Sequence, residues 1–412
     1  MSTHRTDAAT AATAILAAGV CAALHVGKLA PALAALQQAL GLTLVEAGFL
    51  LSAVQGAGMA LGVALGALAD GIGARRSMLA GLLTLALTSA AGGSVDGVPM
   101  LMALRVLEGF GFLLVVLPAP GLLRRCVAPE RRSAVFGLWG AYMPLATALA
   151  LLLGPLVVAE AGWRAWWWGL ALLTAAMSVW LWRVVPAQEA VALAAATPFA
   201  TRLRRTLGAR GPWLVAVCFG MYSGQWLAVI GFLPTIYAQA GVAPLANGLL
   251  TAAAAAANIV GNIASGRLLQ RGAAPQALLV TGFVVMGLAA AAAFAAALPP
   301  ASRYVAVLLF SGVGGLIPGT LFALAVRLAP GEDTLATTVG FVQQWSSFGQ
   351  FAGPPLVAWV ASRAGGWQFT GLAAGLCSLA GLVLVALLAR RLRVDPRLGL
   401  RQDLSQALRP PA

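Results

Sequence analysis

The chain has 412 residues, of which 60% are hydrophobic and 9% charged, with a formal net charge of +14. So apolar a composition cannot cover its own surface with polar groups in water, which excludes an ordinary soluble globular domain and leaves lipid as the solvent. Unbroken runs of Ala, Leu, Val and Gly exclude an alternating β-barrel, so the expectation is an all-α membrane protein.

A bilayer core of about 30 Å takes roughly 20 apolar residues per helix. Apolar runs between charged or Pro/Gly breaks predict twelve transmembrane helices, spans 1 to 12, at 11–36, 45–69, 77–95, 98–122, 133–157, 163–183, 212–237, 245–266, 275–298, 303–327, 334–361 and 367–389. They group into a six-helix bundle over 1–183, a polar, basic, Pro-flanked linker over 184–211, a second six-helix bundle over 212–391, and a tail over 392–412. The first run is too long for a signal peptide, and Cys21 follows Gly-Val, not the small-residue pair of a lipoprotein cleavage site.

Span 1 carries Lys28, the only lysine of the chain, on the same helical face as His25. An ammonium can exchange its proton in a desolvated site where a guanidinium effectively cannot, and histidine titrates near neutrality. Two readings stand: substrate or proton chemistry, or a lysine that snorkels to the interface beside a hydrogen-bonded packing histidine. Glu46 sits nearer the outer edge of span 2. Between spans 2 and 3 runs a charged turn, Gly66-Ala67-Leu68-Ala69-Asp70-Gly71-Ile72-Gly73-Ala74-Arg75-Arg76.

Span 4 contains Leu104-Arg105-Val106-Leu107-Glu108-Gly109-Phe110-Gly111. Arg105 and Glu108 share a face at i and i+3 and can pair. A lone midplane charge costs from about 2.5 to well over 10 kcal/mol, so such residues face water, a partner or substrate. A self-neutralised pair that only shapes helix packing is the alternative. Span 5 offers Trp139 and Tyr142. Span 6 opens with Trp163-Arg164 and Trp166-Trp167-Trp168, read as an interfacial tryptophan anchor.

The second half supplies polar and aromatic groups in place of charge: Tyr222, Gln225 and Trp226 on span 7, Asn258 and Asn262 on span 8, and Gln343, Gln344, Trp345 and Gln350 on span 11. Each is a candidate substrate contact or an interhelical hydrogen bond. Cys21, Cys126, Cys218 and Cys377 lack ligand spacing, so neither a disulfide framework nor a metal site is indicated. With no nucleotide-binding loop in view, no cofactor is expected and gradients would drive transport.

Basic residues set the orientation. Twenty-one arginines fall at the termini and in the loops 2–3, 4–5, 6–7, 8–9 and 10–11, against Arg164, Arg303 and Arg363 on the opposite side. Both termini are therefore expected in the cytoplasm, and the net charge reports topology, not a nucleic-acid partner. An offset near 200 residues pairs Gly48 with Gly248, Gly66 with Gly266, Gly154-Pro155 with Gly353-Pro354, Gly109-Phe110-Gly111 with Gly312-Val313-Gly314, and Ala128-Pro129 with Ala329-Pro330, as two halves from one ancestor would. Asp70 meets Gln270 in this register, so the acidic turn belongs to the first half alone.

The 66–76 turn and the arginine ahead of Gly-x-Gly in span 4 resemble signatures of the major facilitator superfamily. That resemblance implies a twelve-helix permease whose two pseudo-symmetric bundles rock about a midplane site. It also implies a gating role for Asp70, near the start of span 11, with Arg75 and Arg76 bracing the loop. Three potential cations against one carboxylate favour an anion, a balance similar to that of the cyanate and nitroimidazole permease branch or the organic-anion symporters. The resulting expectation is a monomeric, proton-coupled symporter of a small organic or inorganic anion in a bacterial inner membrane. Lys28, Arg105, His25, Tyr142, Tyr222, Gln225, Trp226 and Gln344 are its substrate contacts, and Glu108 and His25 its proton-coupling pair. The alternative is a proton-coupled exporter of a drug or metabolite, which the incomplete glycine pattern of span 5 (Gly137, Gly140, Gly154-Pro155) disfavours.

Overall fold

The computed structural model describes residues 2–127, 135, 138–186, 198–331 and 334–394, without the side chains of 2–8, 66–72, 124, 125, 336 and 392–394. Among the described residues every regular element is a helix. Nine of the described helices are long and apolar enough to cross a membrane. One of them, Tyr142–Val184, runs for 43 residues and breaks only at Gly162, so it holds spans 5 and 6 back to back. Two further helices complete the twelve. Ala74–Gly92 carries Arg75 and Arg76 at its start, and Leu335–Ala364 is diluted by Gln343, Gln344, Ser346, Ser347 and Gln350.

Span 1 comprises Ser2–Gly27 and Leu29–Leu40, span 2 Leu44–Ser52 and Gly56–Ile72, and span 4 Val98–Val116 and Ala119–Cys126. Spans 7, 8 and 9 are Arg210–Gln239, Pro244–Gln270 and Pro275–Ala293. Span 10 is Pro300–Gly314 with Leu316–Leu328, and span 12 is Thr370–Val394. The break in span 1 falls at Lys28, where Pro31 has no N–H for the Gly27 carbonyl and its ring crowds that oxygen. Span 2 begins with a capping box: Thr43 Oγ1 accepts the Glu46 N–H, and the Glu46 carboxylate accepts from the Thr43 N–H. Glu46 is thus an exposed helix cap.

The 2–3 turn closes through Gly73, whose φ of 92° belongs to the left-handed region that favours glycine. Arg75 then reaches the end of span 6 and donates to the Trp182 carbonyl at 2.6 Å. The linker holds a helix of its own, Phe199–Gly208, docked through Thr206 on Thr338 and through the Trp213 indole on the Leu207 carbonyl.

The internal duplication is visible in side-chain contacts. His25 of span 1 bonds Thr174 of span 6, and Gln225 of span 7 bonds Ser378 of span 12, in the same register of the repeat. Spans 7 and 11 approach backbone to backbone: a Cβ on Gly349 would strike the Gly220 carbonyl. Small residues permit such contact where lipid supplies no hydrophobic drive between helices.

The two bundles meet along spans 2 and 11 and, at the arginine-poor end, along spans 5 and 8. Gly48 of span 2 packs on Pro354, Pro355 and Ala358 of span 11, and Gly248 of span 8 packs on Leu151 and Pro155 of span 5. Toward the arginine-rich end, spans 5 and 8 both line a central cavity.

Candidate functional site: a buried charge cluster beside a central cavity

The break in span 1 puts Lys28 against span 4, where the i, i+3 spacing aims Arg105 and Glu108 at the same point. Lys28 Nζ donates to Glu108 Oε1 at 2.5 Å, to Ser89 Oγ at 2.8 Å and to His25 Nδ1 at 3.4 Å. Arg105 Nη1 pairs with Glu108 Oε2 and donates to the His25 carbonyl at 2.6 Å. All four side chains are sealed from solvent, with at most 1% of any one exposed. One carboxylate therefore serves two cations, and Arg105 keeps two buried nitrogens, Nε and Nη2, without a partner.

Span 6 completes this chamber. The Lys28 ammonium lies 4.6 Å from the centre of the Trp167 ring, and Trp166 donates to the Lys28 carbonyl at 3.0 Å. Trp163, Trp166 and Trp167 are buried, and only Trp168, 48% exposed, fits the interfacial anchor expected of the whole group. The expectation failed because three of these indoles sit on the inward face of span 6, where the cluster recruits them. The snorkelling alternative for Lys28 is likewise excluded, since Nζ ends on Glu108 inside the bundle.

The second feature is a cavity of about 600 Å³ between the halves. Trp139 and Tyr142 stack at 4.6 Å on its first-half wall, with Val116, Leu117 and Pro120 from span 4. The second-half wall brings Phe219, Tyr222, Trp226 and Phe322 together with a ladder of neutral polar groups. Asn258 donates to Tyr222 Oη at 3.0 Å and to the Ser311 carbonyl at 2.8 Å, and Asn262 donates to Asn258 Oδ1 at 2.8 Å. Among the described residues no Asp, Glu, Lys, Arg or His lines this cavity. Val116 stands eight residues beyond Glu108 on span 4, so the cavity wall and the cluster lie about 12 Å apart along that helix.

A chain of contacts through span 2 runs between them. Gly109, next to Glu108, packs so closely on span 2 that a Cβ would strike the Val54 carbonyl. The following residue, Gln55, donates to Gln350 at 3.1 Å, and Gln350 lines the cavity.

The structure thus brings His25, Lys28, Arg105 and Glu108 into one group, and Tyr142, Tyr222 and Trp226 into another. Two anticipated contacts lie elsewhere. Gln225 is buried in the bond from Ser378. Gln344 packs against span 2, accepting from the Val63 N–H at 3.3 Å and donating to the Met59 carbonyl at 2.8 Å, so it grips both ends of one helical turn across the bundle interface. Of the gating residues, Arg76 is exposed, Arg75 binds span 6, and the Asp70 side chain lies outside the described residues. Sequence reasoning missed Ser89, Thr174 and Gln55, neutral residues that only tertiary approach makes significant.

A family profile described as Major Facilitator Superfamily matches residues 15–354 and 228–411. A chloramphenicol resistance protein of Streptomyces lividans is 30% identical over 332 residues, covering 77% of this chain and 81% of that protein. The cyanate transport protein CynX of Escherichia coli is 27% identical over 228 residues, covering 54% and 57%. The tetracenomycin C resistance and export protein of Streptomyces glaucescens is 34% identical over 129 residues, 29% of this chain and 24% of that protein, so the match spans about a quarter of that relative's length. Among solved structures, a bacterial homolog of the human lysosomal transporter Spinster, described as inward-facing and unoccupied, superimposes with a TM-score of 0.71 at 15% identity, covering 94% of this chain and 97% of its own. At that identity the likeness speaks for the fold.

Proposed function

The chain belongs to the major facilitator superfamily and is a multi-pass membrane transporter, not an enzyme; on that premise we propose that it is a proton-coupled exporter of uncharged, aromatic or amphipathic organic molecules. The observation that carries this reading is the division of labour between the two sites. The cavity offers aromatic faces and neutral hydrogen-bonding groups, while the ionisable residues are sealed away from it. An organic ligand with an apolar body and a few hydrogen-bonding groups is the natural occupant of such a wall. The names of the tetracenomycin C and chloramphenicol resistance relatives fit the same substrate chemistry.

In this reading the protein works as a monomer in a bacterial inner membrane, both termini cytoplasmic, and the cavity opens at the basic, cytoplasmic end. A proton arriving on a Glu108 carboxylate oxygen removes the one charge that holds Lys28 and Arg105 together. The two cations then repel across the span 1–span 4 contact, and the Gln55–Gln350 bond passes the shift to the cavity wall. Alternating access follows when the bundles rock apart at one end and together at the other.

The surplus positive charge favours a second reading, in which a small anion is transported and reaches Arg105 Nε and Nη2 as the bundles move. CynX, by its name, is a relative on that side. Proteoliposomes holding a pH-sensitive dye, challenged with neutral aromatic amides, small carboxylates, cyanate and lipophilic cations, separate the two. Proton movement driven by the neutral amides supports the exporter, and movement driven only by anions replaces it with the symporter.

A further inference from the structure

The hydrogen-bond directions around the cluster can be assigned from donor counting. Thr174 has one hydroxyl proton, and its Oγ1 lies 2.7 Å from the Leu170 carbonyl, an acceptor with no proton to give. That proton is spent, so the contact of 2.8 Å between Thr174 Oγ1 and His25 Nε2 requires Nε2 to be the donor. The second lone pair of Thr174 faces Cys21 Sγ at 3.4 Å, which makes the thiol a donor too. Ser89 repeats the device: its proton goes to the Trp167 carbonyl at 2.9 Å, leaving its oxygen to accept from Lys28.

We propose that Thr174 and Ser89 are positioning residues that fix His25 as the Nε2–H tautomer and hold Lys28 as a three-bonded ammonium, so that His25 is not a proton carrier. Neutral His25 in this tautomer presents a bare Nδ1 to Lys28. The three acceptors Glu108, Ser89 and His25 then match the three donors of one ammonium, and a neutral amine would leave one of them unserved. A proton on Nδ1 would point a second cation at Nζ. The titratable and charged groups facing this point are Cys21, His25 and Lys28 from span 1 and Arg105 and Glu108 from span 4; spans 3 and 6 contribute the neutral Ser89, Thr174 and Trp167. Glu108 is left as the group that accepts a coupling proton, a consequence that rests on the proton-coupled reading above. The second half reverses this polarity: at the repeated contact Ser378 is the donor and Gln225 the acceptor, and Ala228 stands where Lys28 would be.

The chain has two histidines, so a His4→Gln variant labelled with nitrogen-15 histidine reports on His25 alone in the full-length protein in lipid nanodiscs. At pH 7 the expected spectrum shows one protonated nitrogen, coupled to both ring C–H protons as Nε2 must be, and one bare nitrogen. A protonated Nδ1, alone or with Nε2, overturns the proposal. Thr174→Val should mix the tautomers and move the pH midpoint of transport by about one unit, and Thr174→Ser should restore both. An unchanged tautomer and an unchanged pH profile in Thr174→Val also overturn it. An Nε2–H signal in a protein that moves no protons supports the positioning role and overturns the coupling reading instead.

Discussion

Glu108 is the residue on which the buried cluster balances. Removing it leaves Lys28 and Arg105 facing each other without a counter-charge, whereas removing Lys28 leaves Arg105 and Glu108 as a one-to-one pair. Breaking a buried ion pair from one side costs about 3–5 kcal/mol. Glu108→Ala should therefore lower the unfolding temperature in detergent well beyond the loss in Lys28→Ala, read by tryptophan fluorescence. An equal loss in the two variants would mean that the surplus charge is already neutralised elsewhere. The i, i+3 spacing of Arg105 and Glu108 and the shared face of His25 and Lys28 made the members legible in the sequence. Their mutual contact was not, since it depends on the break at Lys28 and on the approach of spans 1 and 4. Ser89 and Thr174 left no trace, because a serine or threonine in an apolar helix reads as filler until its oxygen is seen 2.8 Å from a charged or ring nitrogen.

Span 11 shows what periodicity can and cannot say about an element. Its polar residues mark it as an interior helix, but they divide between two faces. Gln343, Ser346 and Gln350 line the cavity, while Gln344 grips the Met59 carbonyl and the Val63 N–H of span 2. Neighbouring glutamines one residue apart differ by about 100° around a helix, and only the position of span 2 shows which one is the clamp. The Val63 N–H and the Met59 carbonyl are i, i+4 partners within the Gly56–Ile72 helix, so opening this contact when the bundles separate strands no backbone group. Gln344→Leu should raise the labelling of Val63→Cys by a membrane-impermeant maleimide severalfold, with little change for Gln343→Leu on the cavity face. Equal labelling in both would remove the clamp from the account.

At the scale of the whole molecule, composition alone excluded water as the solvent, and the apolar runs counted the twelve crossings correctly. The helix hidden in the linker, Phe199–Gly208, was missed because three arginines over ten residues read as solvated chain; its docking through Thr206 and Trp213 is tertiary. The duplication was readable because structural glycines and prolines recur, and it carries a functional lesson. The same helix–helix contact is built twice, once around His25, Lys28 and Glu108 and once around neutral Gln225 and Ser378. Among the described residues, buried charge stands in one half only, beside a cavity that carries none. In the proposed reading, such an arrangement lets one bundle respond to protons while both wall the ligand cavity. The central claim is that Glu108 couples protons to a substrate bound elsewhere. It is tested most directly by comparing wild type with Glu108→Gln in proteoliposomes, measuring substrate exchange at equal pH on both sides and then accumulation driven by a pH gradient. The account predicts that Glu108→Gln keeps exchange and loses gradient-driven accumulation. Accumulation at the wild-type level would contradict it.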